Sequence, residues 1–433
     1  MTGLRRELGL TALAAVVFFN VSGGPYGIED LVPSFGPGLA LILLIVTPLV
    51  WSLPVSLAMS ELAAAIPDEG GYVTWVRRAF GPFWSFQVGW WSWIDSLVDV
   101  AVYPALFVEY VRFWWPDMTG TTRWLLAVAF ITVLTALNLA GVRPVGRAAV
   151  MLALATLAPV ALFVIVGLAG ATRVPWQPFT VADQSLVPGI GLGLAVAMWN
   201  YSGWDTPSTC LGETKNPGRS FRAASLLALP IITIAYLLTV AAGLASGATD
   251  WAAWKTGMLP SIASGAGGAW LGHLVAAGAV LGTAGLFMGL LLTNSRLPFV
   301  LARDGMLPEA MGKLAARTGV PWRAVVASAV LYAACATFSF KELVVLDVWL
   351  YSLSLLVELA AFLTLRRREP LLARPWRVPG GTVGALLVTV VPSGVAVLAM
   401  ATAGWTNTLA GIVAALTGPV AYVLFARRRG SPR

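Results

Sequence analysis

Residues 90–107 read WWSWIDSLVDVAVYPALF, an apolar run that carries two carboxylates. Ser92, Asp95 (or Ser96), Asp99 and Tyr103 recur at i, i+3/4, i+7 and i+11, which puts them on one face of a helix. Asp205 lies in a second apolar run beside Trp199, Asn200, Tyr201 and Trp204. Glu29 and Asp30 close the stretch NVSGGPYGIED at residues 20–30, and Glu358 sits in a third run. No Lys or Arg stands in the middle of any of these runs. A buried carboxylate must be paired or protonated, because an isolated charge in low dielectric costs several kcal/mol. Without a fixed cation, these acids require protons or a cationic guest. The aromatic faces nearby suit contact with an ammonium group.

The acids do not all carry the same expectation. Asp99 and Asp205, mid-run beside aromatic and small residues, are the foremost binding candidates, and Glu29, Asp95 and Glu358 are candidates for carrying a proton. Glu358, close to the end of its run, also has a local hydrogen-bonding role open to it. Glu61 is expected to stabilise the fold against a basic surface, and Asp30 to reach an interface.

The elements that hold these residues are membrane helices. The 433-residue chain is 58% hydrophobic and 11% charged, and apolar runs of about 20 residues, enough to span a bilayer, recur throughout. Twelve spans are expected, at 9–33, 38–62, 83–112, 122–141, 147–170, 187–211, 222–246, 268–294, 322–339, 344–365, 381–402 and 406–426. With the N-terminus inside, only Arg112, Arg123, Arg173, Lys255 and Lys341 of the 28 Lys and Arg fall outside, which makes both termini cytoplasmic. The net charge of +8 is therefore topological and gives no nucleic-acid footprint. The charged start MTGLRREL resembles a signal peptide but lacks a small-residue cleavage site, so it is expected to be retained. Cys210, Cys335 and the single His273 offer no metal site and no nucleophile–base pair, so neither a metal nor an enzyme activity is expected.

Two breaks share a pattern. Asn20-Val21-Ser22-Gly23 opens the break in the first span, and Asn200-Tyr201-Ser202-Gly203, in MWNYSGWDTPS, opens the break in the sixth. Five spans separate the two starts, so the halves have opposite topology. This is the signature of an inverted five-plus-five repeat with discontinuous first and sixth helices. The expected organisation is one transmembrane domain over 1–433, with repeats at 9–170 and 187–365 and two extra helices at 381–426. The fold class is all-α and polytopic, of the LeuT-like kind. Irregular backbone at membrane depth is tolerated only where protein shelters it or a wet cavity lies beside it. Opposed breaks leave free N–H and C=O groups facing a shared central space suited to small polar solutes.

These motifs resemble the amino acid–polyamine–organocation transporter superfamily along nearly the whole chain. Besides the breaks, the resemblance rests on ELAAAIPDEGGYVTWVRRAFGPFWSFQVGWWSW, GETKNPGRSFRAA, SRLPFVLARDGMLP and RPWRVPGG. Within the superfamily, VSGGPYGIED, DVAVYPALF and WNYSGWDTPSTCLGETKNP are most similar to the polyamine uptake branch, a relative of the L-type amino acid transporters. The resemblance implies a twelve-helix inverted-repeat fold and proton-coupled polyamine uptake. It singles out Gly23, Gly24, Pro25 and Glu29, then Asp99 and Tyr103, then Trp199, Asn200, Trp204 and Asp205. Asp95 is not expected from that branch. A lysine that some superfamily members carry in the fifth span is also missing from AAVMLALATLAPVALFVIVGL, which leaves a carboxylate as the natural proton carrier.

Two substrate classes remain open. A zwitterionic amino acid needs backbone N–H groups for its carboxylate, and Ser22, Gly23 and Gly24 offer them, with Pro25 and Tyr26 alongside. Pro25 removes one donor and Glu29 brings negative charge. A polyamine needs several carboxylates and aromatic faces along a slot, which Asp99, Asp205 and Glu29 with Tyr103, Trp199, Tyr201 and Trp204 provide. The expectation is alternating-access uptake of a polyamine or related cationic amine into an inner (plasma) membrane. It would be driven by the proton gradient without a cofactor; proton-coupled uptake or exchange of amino acids is the alternative. A channel would show a polar stripe without paired breaks, and a non-transporting sensor would keep the pocket but show no counterflow. The sequence leaves any partner subunit open.

Overall fold

The computed structural model describes residues 4–181, 196–336 and 340–425. Residues 187–195 of the expected sixth span, 337–339 of the ninth and the basic tail beyond 425 lie outside the described residues. The described residues form helices and no strand, with one isolated parallel bridge between Leu8 and Thr214.

Eight described helices are long and apolar enough to cross a membrane. They include α3 (Pro37–Ala65), α6 (Gly120–Leu139), α7 (Val142–Ala169), α8 (Pro217–Ser246), α14 (Gly381–Thr402) and α15 (Trp405–Phe425). The other two belong to α10 (Ala269–Asn294), which runs into the short α11 (Arg296–Arg303), and to the 347–368 part of α13 (Phe340–Arg368). Two shorter apolar helices, α1 (Leu10–Val21) and α12 (Trp322–Cys335), stand where the first and ninth spans are expected. The 30-residue α5 (Pro82–Val111), where the third is expected, holds Asp95, Asp99 and Glu109. Short helices α2 (Leu31–Phe35), α4 (Tyr72–Phe80) and α9 (Leu259–Gly267) complete the described set used below.

Burial sorts the helices by layer. The apolar window of α10 is 72% buried, against 17% for α15 and 22% for α6 and α7. Outer helices show Val133, Met151, Leu154, Ile165 and Leu416 to their surroundings, as lipid-facing walls do. α10 reaches the centre because one of its faces is glycine. Gly278, Gly282, Gly285 and Gly289 recur at small-residue spacing, and a Cβ on Gly282 or Gly285 would run into the Gly23 carbonyl or the Phe19 ring of the first span. Thr293 Oγ1 then donates to Asn20 Oδ1 at 2.7 Å, fixing α10 against the end of α1.

Polar ties close the ends of the bundle. Glu61, at the end of α3, accepts from Arg366 Nε (2.7 Å) and Nη2 (2.6 Å) and from the Val378 amide (2.7 Å), with Arg374 Nε at 3.3 Å. The stabilising role expected of Glu61 thus has specific partners. Arg296, fully buried, forms a two-pronged pair with Glu213 at 2.8 and 2.9 Å. The backbone of Glu213 and Lys215 pairs with Glu7 and Leu8 ahead of α1. His273 accepts from Trp114 Nε1 at 2.7 Å, a contact between loop-end rings.

Candidate functional site

α1 stops at Val21, and the chain runs without helix through Gly24 and Gly27, both at φ +92°, before α2 begins at Leu31. The second break follows a helical turn at 196–199 and passes through Gly203 at φ +94° into a 3-10 segment, Thr206–Glu213. The breaks touch: a Cβ on Gly203 would collide with the Asn20 carbonyl oxygen. Their freed backbone groups find partners nearby. The Gly24 amide donates to Ser22 Oγ (3.1 Å), and Ser52 Oγ and Trp204 Nε1 donate to the Tyr201 carbonyl (3.1 and 2.8 Å). Tyr236 Oη donates to the Asn200 carbonyl at 3.1 Å, and the Gly203 amide donates to Tyr351 Oη at 3.1 Å. These bonds shelter part of a turn that would be costly in lipid.

Between the breaks lies a cavity of about 40 Å³. Four carboxylates line it: Asp95 and Asp99 from α5, Asp205 from the second break and Asp347 from α13. Its other walls include Asn20, Tyr72, Tyr103, Trp199 and Tyr351, and neither Lys, Arg nor His is among them. Tyr103 Oη and Trp199 Nε1 both donate to Asp99 Oδ1, at 2.9 and 3.2 Å, with their rings stacked 6.2 Å apart. Tyr351 Oη donates to Asp205 Oδ1 and so bridges the break to α13. Asp205 and Asp347 are 3% and 5% exposed.

A smaller pocket lies beyond the Tyr103–Trp199 pair, against Ser22, Gly23, Tyr26, Asn200 and Tyr236. The expected residues therefore divide. Asp95, Asp99, Tyr103, Trp199 and Asp205 gather on the acidic cavity, whereas Ser22, Gly23, Tyr26 and Asn200 gather on the smaller pocket; Tyr103 and Trp199 line both. Gly24 and Pro25 shape the first break behind that pocket. Tyr201 and Trp204 point into packing, Tyr201 Oη donating to the Leu44 carbonyl at 2.8 Å.

Glu29 sits elsewhere. Its Oε2 accepts from the Gly27 amide at 2.8 Å and its Oε1 from the Leu259 amide at 3.1 Å, so it fastens the first break to α9. Asp30 is bound by Thr256 through Oγ1 (2.6 Å) and amide (3.3 Å). Glu358 is buried off the cavity, and neither of its oxygens has a hydrogen-bond partner among the described residues.

Asp347 and Tyr351 are cavity residues that the sequence reading passed over. A signal was present: DVWLY at 347–351 repeats the spacing of DVAVY at 99–103, an Asp and a Tyr one helical turn apart. Tyr351, Ser354 and Glu358 follow Asp347 at i+4, i+7 and i+11, the same one-faced pattern that marks Ser92 to Tyr103.

A chain of membrane-length helices around a shielded polar cavity is what a solute permease requires, and comparison with known proteins agrees. The amino acid permease family matches residues 8–423. The chain belongs to that family. The permease is 36% identical to the polyamine transporter PUT1 of Oryza sativa subsp. japonica, over 93% of this chain and 75% of that protein. It is 33% identical to the polyamine transporter RMV1 of Arabidopsis thaliana, over 90% and 79%. It is 27% identical to the lysine-specific permease LysP of Escherichia coli (strain K12), over 81% and 75%. It is thus a multi-pass membrane transporter and not an enzyme.

Proposed function

We propose that this permease imports polyamines or related cationic amines by alternating access, coupled to protons, across the inner (plasma) membrane. The observation that carries the reading is the cavity: four Asp from three elements, faced by aromatic rings and no basic side chain. An ammonium group between Asp99 and Asp205 would meet two carboxylates, while Tyr103 and Trp199 enclose the methylene segments. Relatives named as polyamine transporters support the same class. At about 40 Å³ the cavity is too small for a diamine, so its walls must move to admit one. In this reading the chain forms twelve spans, both termini cytoplasmic, with the two breaks at equivalent places of an inverted repeat.

Uptake of an amino acid is the second reading, favoured by the pocket against Ser22 and Gly23, where backbone N–H groups suit a carboxylate. Uptake into proteoliposomes under an imposed pH gradient separates the two. Labelled putrescine and spermidine are expected to accumulate, and Asp205→Asn is expected to weaken their affinity by ten-fold or more, the loss of one charge-assisted contact of about 1.5–3 kcal/mol. Accumulation of a neutral amino acid with exclusion of both amines would overturn the cation reading.

A further inference from the structure

We propose that Asp95 and Asp347 together hold the transported proton, apart from Asp99 and Asp205, which take the substrate's ammonium groups. The inference rests on the transport reading above and adds a residue, Asp347, and a division of roles within the acidic cavity. The four carboxylates are not alike in their partners. Asp99 is served by Tyr103 Oη and Trp199 Nε1, and Asp205 by Tyr351 Oη. Asp95 of α5 and Asp347 of α13 are neighbours on the same small cavity, and among the described residues no hydroxyl, indole or amide donor serves either of them. Two carboxyl groups can share a hydrogen bond only if one of them carries a hydrogen, and two ionised groups so close would repel in a buried space. Asp95 Oδ1 is buried and accepts no hydrogen bond among the described residues, in a side chain 8% exposed on the cavity wall. A buried acceptor without a donor or a cation is where a proton is needed.

The pair is placed where its proton alters structure. Asp347 lies one turn from Tyr351, which bridges the Gly203 amide and Asp205. A proton taken from outer water closes α5 against α13 through the O–H···O bond, and α13 in turn holds the second break. Release of the proton to inner water leaves two carboxylates that push the helices apart. The groups facing the pair are Asp99 and Tyr103 of α5, Tyr72 of α4, Asp205 of the break and Tyr351 of α13. Ser96 of α5 links the same region to Tyr332 of α12 at 3.1 Å. No fixed cation among the cavity walls can stand in for the proton.

Asp347→Asn tests the pair, since an amide NH₂ can donate to Asp95 without titrating. In proteoliposomes, counterflow of labelled putrescine by the variant should no longer vary with pH. Accumulation driven by a pH gradient should fall at least ten-fold. Asp95→Asn, tested in parallel, should give the same split. Gradient-driven accumulation at the wild-type level in Asp347→Asn would overturn the proposal. Loss of counterflow in both variants would overturn it as well, by making the pair part of substrate binding or folding. Failure of the wild-type protein to exchange putrescine or spermidine would instead remove the cation reading, so the two failures are distinguishable.

Discussion

Gly203 and Gly27 provide a controlled test of whether the two breaks must touch. Both glycines have nearly the same left-handed backbone, φ +94° and +92°. An alanine at either position suffers the same kind of backbone strain, about 1–2 kcal/mol. The surroundings differ. A Cβ at Gly27 meets nothing closer than the Trp199 ring at 3.4 Å, an ordinary contact. A Cβ at Gly203 meets the Asn20 carbonyl, and backbone must shift to admit it. Such overpacking adds about 1–3 kcal/mol. The shift would also strain the bond from the Gly203 amide to Tyr351. Gly203→Ala is therefore expected to be less stable than Gly27→Ala by about 2 kcal/mol, some thirty-fold in the folding equilibrium. Thermal unfolding in detergent, read by a thiol-reactive dye on the buried Cys210, measures the difference. Equal losses in the two variants would refute the close apposition of the breaks.

Two further outcomes follow from the ends of the bundle. Glu213→Gln leaves the fully buried Arg296 guanidinium without its paired carboxylate and should cost about 3–5 kcal/mol, whereas Glu213→Leu with Arg296→Met should recover most of that in the same unfolding assay. At the bundle surface, the hydrogen bonds from Arg78 hold the Glu369 carboxyl below the usual carboxylate range. A depressed carboxyl stabilises the folded state above its ordinary value and loses that contribution as pH falls below it. Stability should thus drop more steeply below about pH 4 in the wild type than in Glu369→Gln, by less than about 1 kcal/mol for so exposed a pair. Parallel melting curves across that range would expose a wrong sign.

How much of this was legible depended on how many residues repeated each signal. Apolar runs recur along the whole chain, and eight of the expected spans stand as long apolar helices. The N-x-S-G pattern located two breaks whose backbones meet at Gly203 and Asn20. Asp99, Tyr103, Trp199 and Asp205 were legible because each sits among other polar or small residues at helical spacing. Glu29 was legible as an unusual acid, yet its partners, the Gly27 and Leu259 amides, are backbone groups that no residue type announces. The same holds for Asp347: its meaning comes from Asp95, on a helix distant in sequence. Composition alone therefore gives the cavity its sign, since buried acids without bases need protons or a cation. Partners divide the labour within it. In the proposed reading, the carboxylates served by hydroxyl and indole donors take the ammonium groups, and the two without such donors hold the proton. If the proposal holds, substrate binding by one pair and closure by the other would couple two charges without placing them on the same group.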